Sequence, residues 1–195
     1  MEKYFLLTDL TYENERIELE KIVRSYTEWS YYGIGRFKIH IGFPDRETII
    51  PIAIKFKNPK TLFKKIEFNM VNANGIVTPH TDHDRFVTMN LPICGNFKNS
   101  TVDFYENTTN SPPTHTSSLN HPDGASVEVT TARSYASAEL VELVSYEVPI
   151  CFDTQVIHGV TNSTAEDRYI LSLSFKEEFT YQRLKEMYEY GELLV

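Results

Sequence analysis

Hydrophobic and polar positions change their period once near the start of the chain and once near its end. Residues 12–31 carry Glu, Leu, Lys and Ile at roughly helical spacing, and Thr11 stands where an N-cap would, so the pattern predicts an opening helix. From residue 37 the period shortens. Residues 37–41, 48–56, 66–71, 86–93, 102–105, 139–148, 156–160 and 168–175 read as strands separated by turn residues. Pro51 in the second of these suits a sheet edge, and residues 179–190 read as a closing helix. Many short strands with little helix between them predict a mainly β chain with flanking helices, either a sandwich or a jelly-roll barrel.

One stretch departs from this pattern. Residues 107–137 are rich in Ser, Thr, Asn and Pro, include Ser111-Pro112-Pro113 and His121-Pro122-Asp123-Gly124, and carry hardly any apolar periodicity. A long polar insertion between core strands is either an active-site lid or surface elaboration. We read it as a substrate-facing loop within a single domain spanning residues 1–195.

Candidate chemistry is concentrated in two places. In Val77-Thr78-Pro79-His80-Thr81-Asp82 the histidine and aspartate are two apart, so on an extended strand both side chains leave one face. His-x-Asp alone also fits a polar loop with a satisfied histidine. Far downstream come His158-Gly159-Val160 and, ten residues after His158, Arg168. Two imidazoles and one carboxylate form a three-ligand metal site with an open side. If residues 156–160 and 168–175 are antiparallel strands joined by the polar turn 162–167, Arg168 comes close to His158 along one sheet. Its guanidinium suits a carboxylate, to which it donates two parallel charge-assisted hydrogen bonds. A surface Arg paired with Glu166 or Asp167 is the plainer reading.

Segments 69–92 and 148–175, about a quarter of the chain by matching positions, resemble the 2-oxoglutarate and Fe(II)-dependent oxygenases. Pro79-His80-Thr81-Asp82 with Phe152-Asp153, His158, Val160, Asn162, Arg168 and Leu171 is similar to the aspartyl/asparaginyl β-hydroxylase-like branch, which includes free-proline hydroxylases. The resemblance implies a double-stranded β-helix, cupin-like, with His80, Asp82 and His158 holding Fe(II) and Arg168 holding the distal carboxylate of 2-oxoglutarate. Some relatives place a hydroxyl residue two positions after the Arg, where this chain has Ile170. Asn72, Tyr105 and Ser172 are the candidates for further cosubstrate contacts. The implied reaction uses O2 and 2-oxoglutarate to hydroxylate a C–H bond of an amino acid or peptidyl substrate, releasing succinate and CO2. Related halogenases replace the carboxylate by a small residue, so Asp82 argues for hydroxylation. A cupin-like metal enzyme that does not use 2-oxoglutarate and a non-catalytic jelly-roll binding module are the alternatives.

The remaining histidines fit less well. His83 and Asp84 are adjacent and point apart on a regular strand, so His83 reads as solvated or as support for the ligands. Arg85 reads as neutralising this acidic loop, or else touching an anionic substrate. His40 alternates with apolar residues, and His115 and His121 have no neighbours at metal spacing.

Composition narrows the partners. A net charge of −8 and a pI near 5.3 disfavour a nucleic-acid partner, whose phosphates need a basic face. The 195 residues with 41% hydrophobic content are enough for one sizeable core. No stretch approaches a membrane span and the first residues lack signal-peptide architecture, so the expectation is a soluble cytoplasmic enzyme. Cys94 and Cys151, in apolar surroundings, are expected to be buried thiols, with a disulfide left open.

Overall fold

A computed structural model describes the chain apart from residues 1, 35, 36, 84, 109–113, 116, 121–125 and 129–131, and describes side chains outside 32–39 and 111–132. In chain order the elements are β1 (Tyr4–Leu6), α1 (Glu13–Ser25), β2 (Ser30–Ile34), β3 (Phe37–Gly42), α2 (Arg46–Ala53), α3 (Pro59–Leu62), β4 (Phe63–Val71), β5 (Ile76–Asp82), β6 (Val87–Cys94) and β7 (Ser100–Asn107). Then follow β8 (Thr114–His115), β9 (Ser117–Asn120), β10 (Ser126–Glu128), β11 (Ala132–Ser134), β12 (Ala138–Ser145), β13 (Ile150–Asp153), β14 (His158–Asn162), β15 (Arg168–Phe175) and α4 (Tyr181–Glu189).

The strands form a nine-stranded sheet, β1-β13-β6-β15-β4-β3-β2-β9-β10, and a six-stranded sheet, β12-β7-β14-β5-β11-β8. All registered pairs are antiparallel. This is the double-stranded β-helix.

Alternation along the nine-stranded sheet separates two environments. Phe68, Met89, Leu91, Leu171 and Leu173 face outward and form one core with Leu19 and Val23 of α1 and Leu184 of α4. Between the sheets a smaller core gathers Val102, Phe104, Ile150, Phe152 and Ile170. The rest of that inner face is polar yet buried, with Glu67, Asn69, Thr88, Asn90, Arg168, Ser172 and Ser174 all 7% exposed or less. Buried polar residues in such number are a departure from the ordinary interior.

Several expected elements differ. The first helix starts at Glu13 with Tyr12 as a cap that makes no side-chain bond, so Thr11 does not cap it, and it ends at Ser25, leaving Ser30–Ile34 free to pair as β2. Residues 46–53 are a helix, not a strand. Asp45 caps it by accepting from the Thr48 amide at 2.8 Å, and this local cap outweighs the β-branched Ile49-Ile50 pair. The expected hairpin from His158 to Arg168 does not form. β14 lies in the six-stranded sheet and β15 in the other, so residues 163–167 cross between sheets. Asn162 ties this crossing down by donating to the carbonyls of Val71, Asn72 and Glu166 at 3.2, 2.9 and 2.8 Å.

The described part of the polar insertion consists of short strands and not of loop alone. β9 and β10 extend one sheet, and β11 and β8 extend the other. Among the described residues, no helix is long and apolar enough to cross a membrane. Both cysteines are buried and free.

Candidate metal centre

β5 and β14 pair so that His80 stands directly opposite His158, and their rings lie 4.4 Å apart. The register slips by one between His158 and Val160, so Thr78-Pro79 bulges against Gly159. A Cβ on Gly159 would sit 2.6 Å from the Val77 carbonyl oxygen, so only glycine permits this approach. Bulges of this kind re-aim side chains beside functional sites.

Both imidazoles are oriented by the same local device. His80 Nδ1 donates to the Thr78 carbonyl at 2.8 Å, and His158 Nδ1 donates to the Val156 carbonyl at 2.9 Å. A carbonyl only accepts, so each ring carries its proton on Nδ1 and presents the Nε2 lone pair inward. Asp82 lies between them, with Oδ1 3.7 Å from His80 Nε2 and Oδ2 3.9 Å from His158 Nε2. The donor atoms of the three residues fall within 4.8 Å of one another, and all three residues are buried. Donors about 2 Å from a shared ion stand about 3–4 Å apart, so the set fits a metal after small movements. Phe152 closes the apolar side, edge-on to His158 at 5.2 Å.

Burial holds both histidines neutral. It lowers His80 below its ordinary value and, helped by the neighbouring His80, brings His158 down to about 3. For Asp82 burial pulls upward, but the adjacent Arg85 guanidinium pulls the other way and the carboxyl stays below the usual range. Two neutral imidazoles and one carboxylate are the protonation state that binds a cation.

Arg168 enters from the facing sheet and is 2% exposed. Its Nη1 donates to Ser100 Oγ at 3.1 Å and the Thr101 carbonyl at 3.3 Å, and its Nη2 bonds the Tyr146 hydroxyl. The guanidinium also lies over the rings of Tyr146 and Phe97, at 4.9 and 5.2 Å. Its Nε has no hydrogen-bond partner among the described residues, and no carboxylate there pairs with it. Asn90, further along the inner face, has a buried Oδ1 without a hydrogen-bond partner among the described residues. A buried cation of this kind calls for an anionic ligand.

The other expected contacts are placed differently. Asn72 is exposed in the turn after β4, where its carbonyl serves Gly75 and Asn162, so the structure does not bring its side chain to the cluster. Tyr105 lies on the opposite face of β7, against Gly159. Ser172 does face inward, but it meets Thr88 at 3.0 Å and Arg85 at 3.3 Å and not Arg168. Tyr146 and Ser100, which do bond Arg168, stand at strand ends far apart in sequence and carry no motif.

His83 is exposed, and His40 packs 6.0 Å from the Tyr31 ring on the outer side. His115 belongs to β8, with its side chain outside the described set, and His121 lies outside the described residues. From the insertion, β11 pairs with β5 so that Ser134 stands opposite His80 and Ala132 opposite Asp82. The Ser134 hydroxyl is buried there without a partner among the described residues.

No family model and no curated protein matches the chain. Solved structures do. The non-heme alpha ketoglutarate dependent epimerase SnoN from nogalamycin biosynthesis aligns with a TM-score of 0.56 at 12% identity, over 89% of this chain and 78% of SnoN. A second SnoN structure, holding Fe3+, alpha ketoglutarate and nogalamycin RO, gives 0.57 at 13% identity over the same shares. HygX from Streptomyces hygroscopicus with nickel and 2-oxoglutarate gives 0.52 at 9% identity, over 91% and 84% of the two chains. A prolyl hydroxylase from Trichoplax adhaerens, in complex with a hypoxia inducible factor peptide fragment, gives 0.52 at 11% identity, over 94% and 86%. At these identities the likeness carries the fold.

Proposed function

We propose that the chain is an Fe(II)- and 2-oxoglutarate-dependent dioxygenase that hydroxylates a C–H bond of an amino acid or amino-acyl substrate. The observation that carries this reading is the pairing of three convergent buried donors with a buried guanidinium that has no carboxylate partner among the described residues. A metal site alone fits a cupin-like enzyme. The guanidinium adds a demand for a second anion within the same interior.

His80, Asp82 and His158 would hold the metal through Nε2, one carboxylate oxygen and Nε2. Arg168 would take the distal carboxylate of the cosubstrate, with Tyr146 and Ser100 fixing its plane. These residues replace Asn72 and Tyr105 as the contacts the geometry favours. When bound, iron with 2-oxoglutarate and O2 supplies the oxidising chemistry, yielding succinate and CO2. The protein contributes orientation, the neutral imidazoles and the exclusion of water by Phe152 and the apolar inner residues.

SnoN and HygX carry iron or nickel with the same keto acid, and the prolyl hydroxylase binds a peptide. The Ser134 hydroxyl, buried on β11 where it stands opposite His80, offers a polar substrate a hydrogen-bonding group. The aspartyl/asparaginyl β-hydroxylase-like branch remains the assignment favoured by the Pro79-to-Asp82 and His158-to-Leu171 segments. We further read the chain as one oxygenase domain acting in the cytoplasm, consistent with two buried free thiols.

The test is anaerobic. Fe(II) protein should develop the weak visible charge-transfer band on adding 2-oxoglutarate, His158→Ala should give none, and Arg168→Met should need far more cosubstrate while still binding metal. A folded, metal-loaded wild type with no band at saturating 2-oxoglutarate sinks the proposal in favour of the cupin-like alternative.

A further inference from the structure

Arg85 is held at both ends. Its Nε donates to Asp82 Oδ2 at 2.5 Å, while Nη1 reaches Glu67 Oε1 at 3.4 Å and Ser172 Oγ at 3.3 Å on the facing sheet. Glu67 and Ser172 are themselves buried, at 2% and 1% exposure. Lys65 lies 2.5 Å from the other Glu67 oxygen, a contact of charge and not an aligned hydrogen bond. The Arg85 backbone is equally constrained. Its carbonyl accepts from Thr154 Oγ1 at 2.6 Å and from Gln155 Nε2 at 3.1 Å, and Gln155 also donates to the Asp82 carbonyl at 3.0 Å. The segment just before His158 thus fixes the loop that follows Asp82.

This bracing matters because a carboxylate can give a metal one oxygen or two. The Asp82 oxygens are nearly symmetric toward the imidazoles, at 3.7 and 3.9 Å, so the histidines do not choose between them. Arg85 does. It occupies Oδ2 with a charge-assisted hydrogen bond, the strong kind. An ion with about six places that takes two imidazoles and a chelating carboxylate keeps about two, too few for a chelating cosubstrate and a further small molecule.

We propose that Arg85 is a positioning residue that reserves one oxygen of Asp82, so that a bound metal receives a single oxygen and keeps its open side. Glu67 and Ser172 hold Arg85 to that task. The inference rests on the metal-site reading above and is independent of the cosubstrate's identity.

Two probes of the chain test it: Mn(II) affinity, and nitric oxide binding to the Fe(II) form saturated with oxalate as a two-oxygen chelator, followed by electron paramagnetic resonance. In Arg85→Gln the metal should bind as tightly as in wild type or tighter, since a nearby positive charge is gone and both oxygens are free. With the chelator bound, nitric oxide affinity should fall about tenfold or more, because the second Asp82 oxygen then competes for the last place. Arg85→Lys, which keeps the charge but cannot span Asp82 and Glu67, should not restore it. Glu67→Gln keeps Arg85, removes one anchor and should move both readings the same way by less, so it carries the test if Arg85→Gln does not fold. Unchanged nitric oxide affinity in the variants, parallel loss of metal and nitric oxide, or full rescue by Lys would each overturn the proposal. A wild type that binds Mn(II) but gives no band with 2-oxoglutarate would refute the function proposed above and leave this result readable.

Discussion

On the outer face of the nine-stranded sheet, Phe68, Met89, Leu91, Leu171 and Leu173 pack beneath α1 and α4, while residues one position away on the same strands include Glu67, Asn69, Thr88, Asn90, Ser172 and Ser174. Both sets are buried. The outer residues lose water and gain apolar contacts, which favours folding. The inner residues lose water and gain incomplete hydrogen bonding, which opposes it. A chain in which, among the described residues, Arg168 is buried without a carboxylate and Asn90 and Ser174 carry unpaired atoms is more stable elsewhere than it needs to be for folding alone. The outer face holds the inner one in place for a ligand.

That division has its largest consequence at Leu171. It is fully buried on the outer face, between the inward-facing Ile170 and Ser172. Leu171→Ala should cost about 2–5 kcal/mol, read as a lower urea midpoint, because it leaves a cavity beneath the helices. Metal affinity measured at a temperature where the variant is folded should be unchanged. A loss of metal binding in proportion to stability would show that the two faces are one mechanical unit and break the comparison.

Acid should separate the faces next. Among the described residues the outer core contains no histidine, whereas His80 and His158 sit on the inner side of the six-stranded sheet with pKa values lowered by burial. His158 falls from 6.5 to about 3. Between those values the unfolded chain binds the proton and the folded one does not. The stability it contributes is therefore present above pH 6.5 and is lost as pH falls toward 3. The slope is about 1.4 kcal/mol per pH unit for each imidazole in its window. Metal-free wild type should thus lose stability from pH 6.5 to 5 faster than His158→Gln, measured by urea unfolding at each pH. Equal slopes would mean that the site opens to water.

What could be read from the chain follows the same line. His80, Asp82, His158 and Arg168 were legible because strand period 2 puts the first pair on one face, and because their chemistry is scarce enough to be noticed at a distance. The β-rich body was legible from alternation. The hairpin from His158 to Arg168 was misassigned because a polar six-residue turn reads alike whether its strands share a sheet or change sheets. Asn162, which binds the crossing to β4, has no local signal for that role. Residues 46–53 have β-branched content, and the Asp45 cap that makes them helical is one residue long. Tyr146 and Ser100 meet Arg168 from the ends of two different strands, so their role arises only in three dimensions. In the insertion, polar composition concealed β11, which pairs along β5 through backbone bonds that require no apolar face.

The smallest effect sharpens the comparison most, because it asks whether an inner polar group is kept for folding or for a ligand. Ser174 lies on β15 in the same alternation as Ser172, is 2% exposed, and its hydroxyl has no partner among the described residues. On the outer face such a hydroxyl would be replaced by a methyl group to advantage. Removing a buried unsatisfied hydroxyl should be neutral or stabilising, by about 0.5–1 kcal/mol. Ser174→Ala should therefore raise the urea midpoint slightly or leave it unchanged, with no change in Mn(II) affinity. Ser172→Ala, which gives up bonds to Thr88 and Arg85, should lower it by a similar amount. Opposite signs at two serines on one strand would show that inner-face polarity is partly structural, through Arg85, and partly held against folding. The same sign at both would mean that position on the face, and not its bonding, sets the cost.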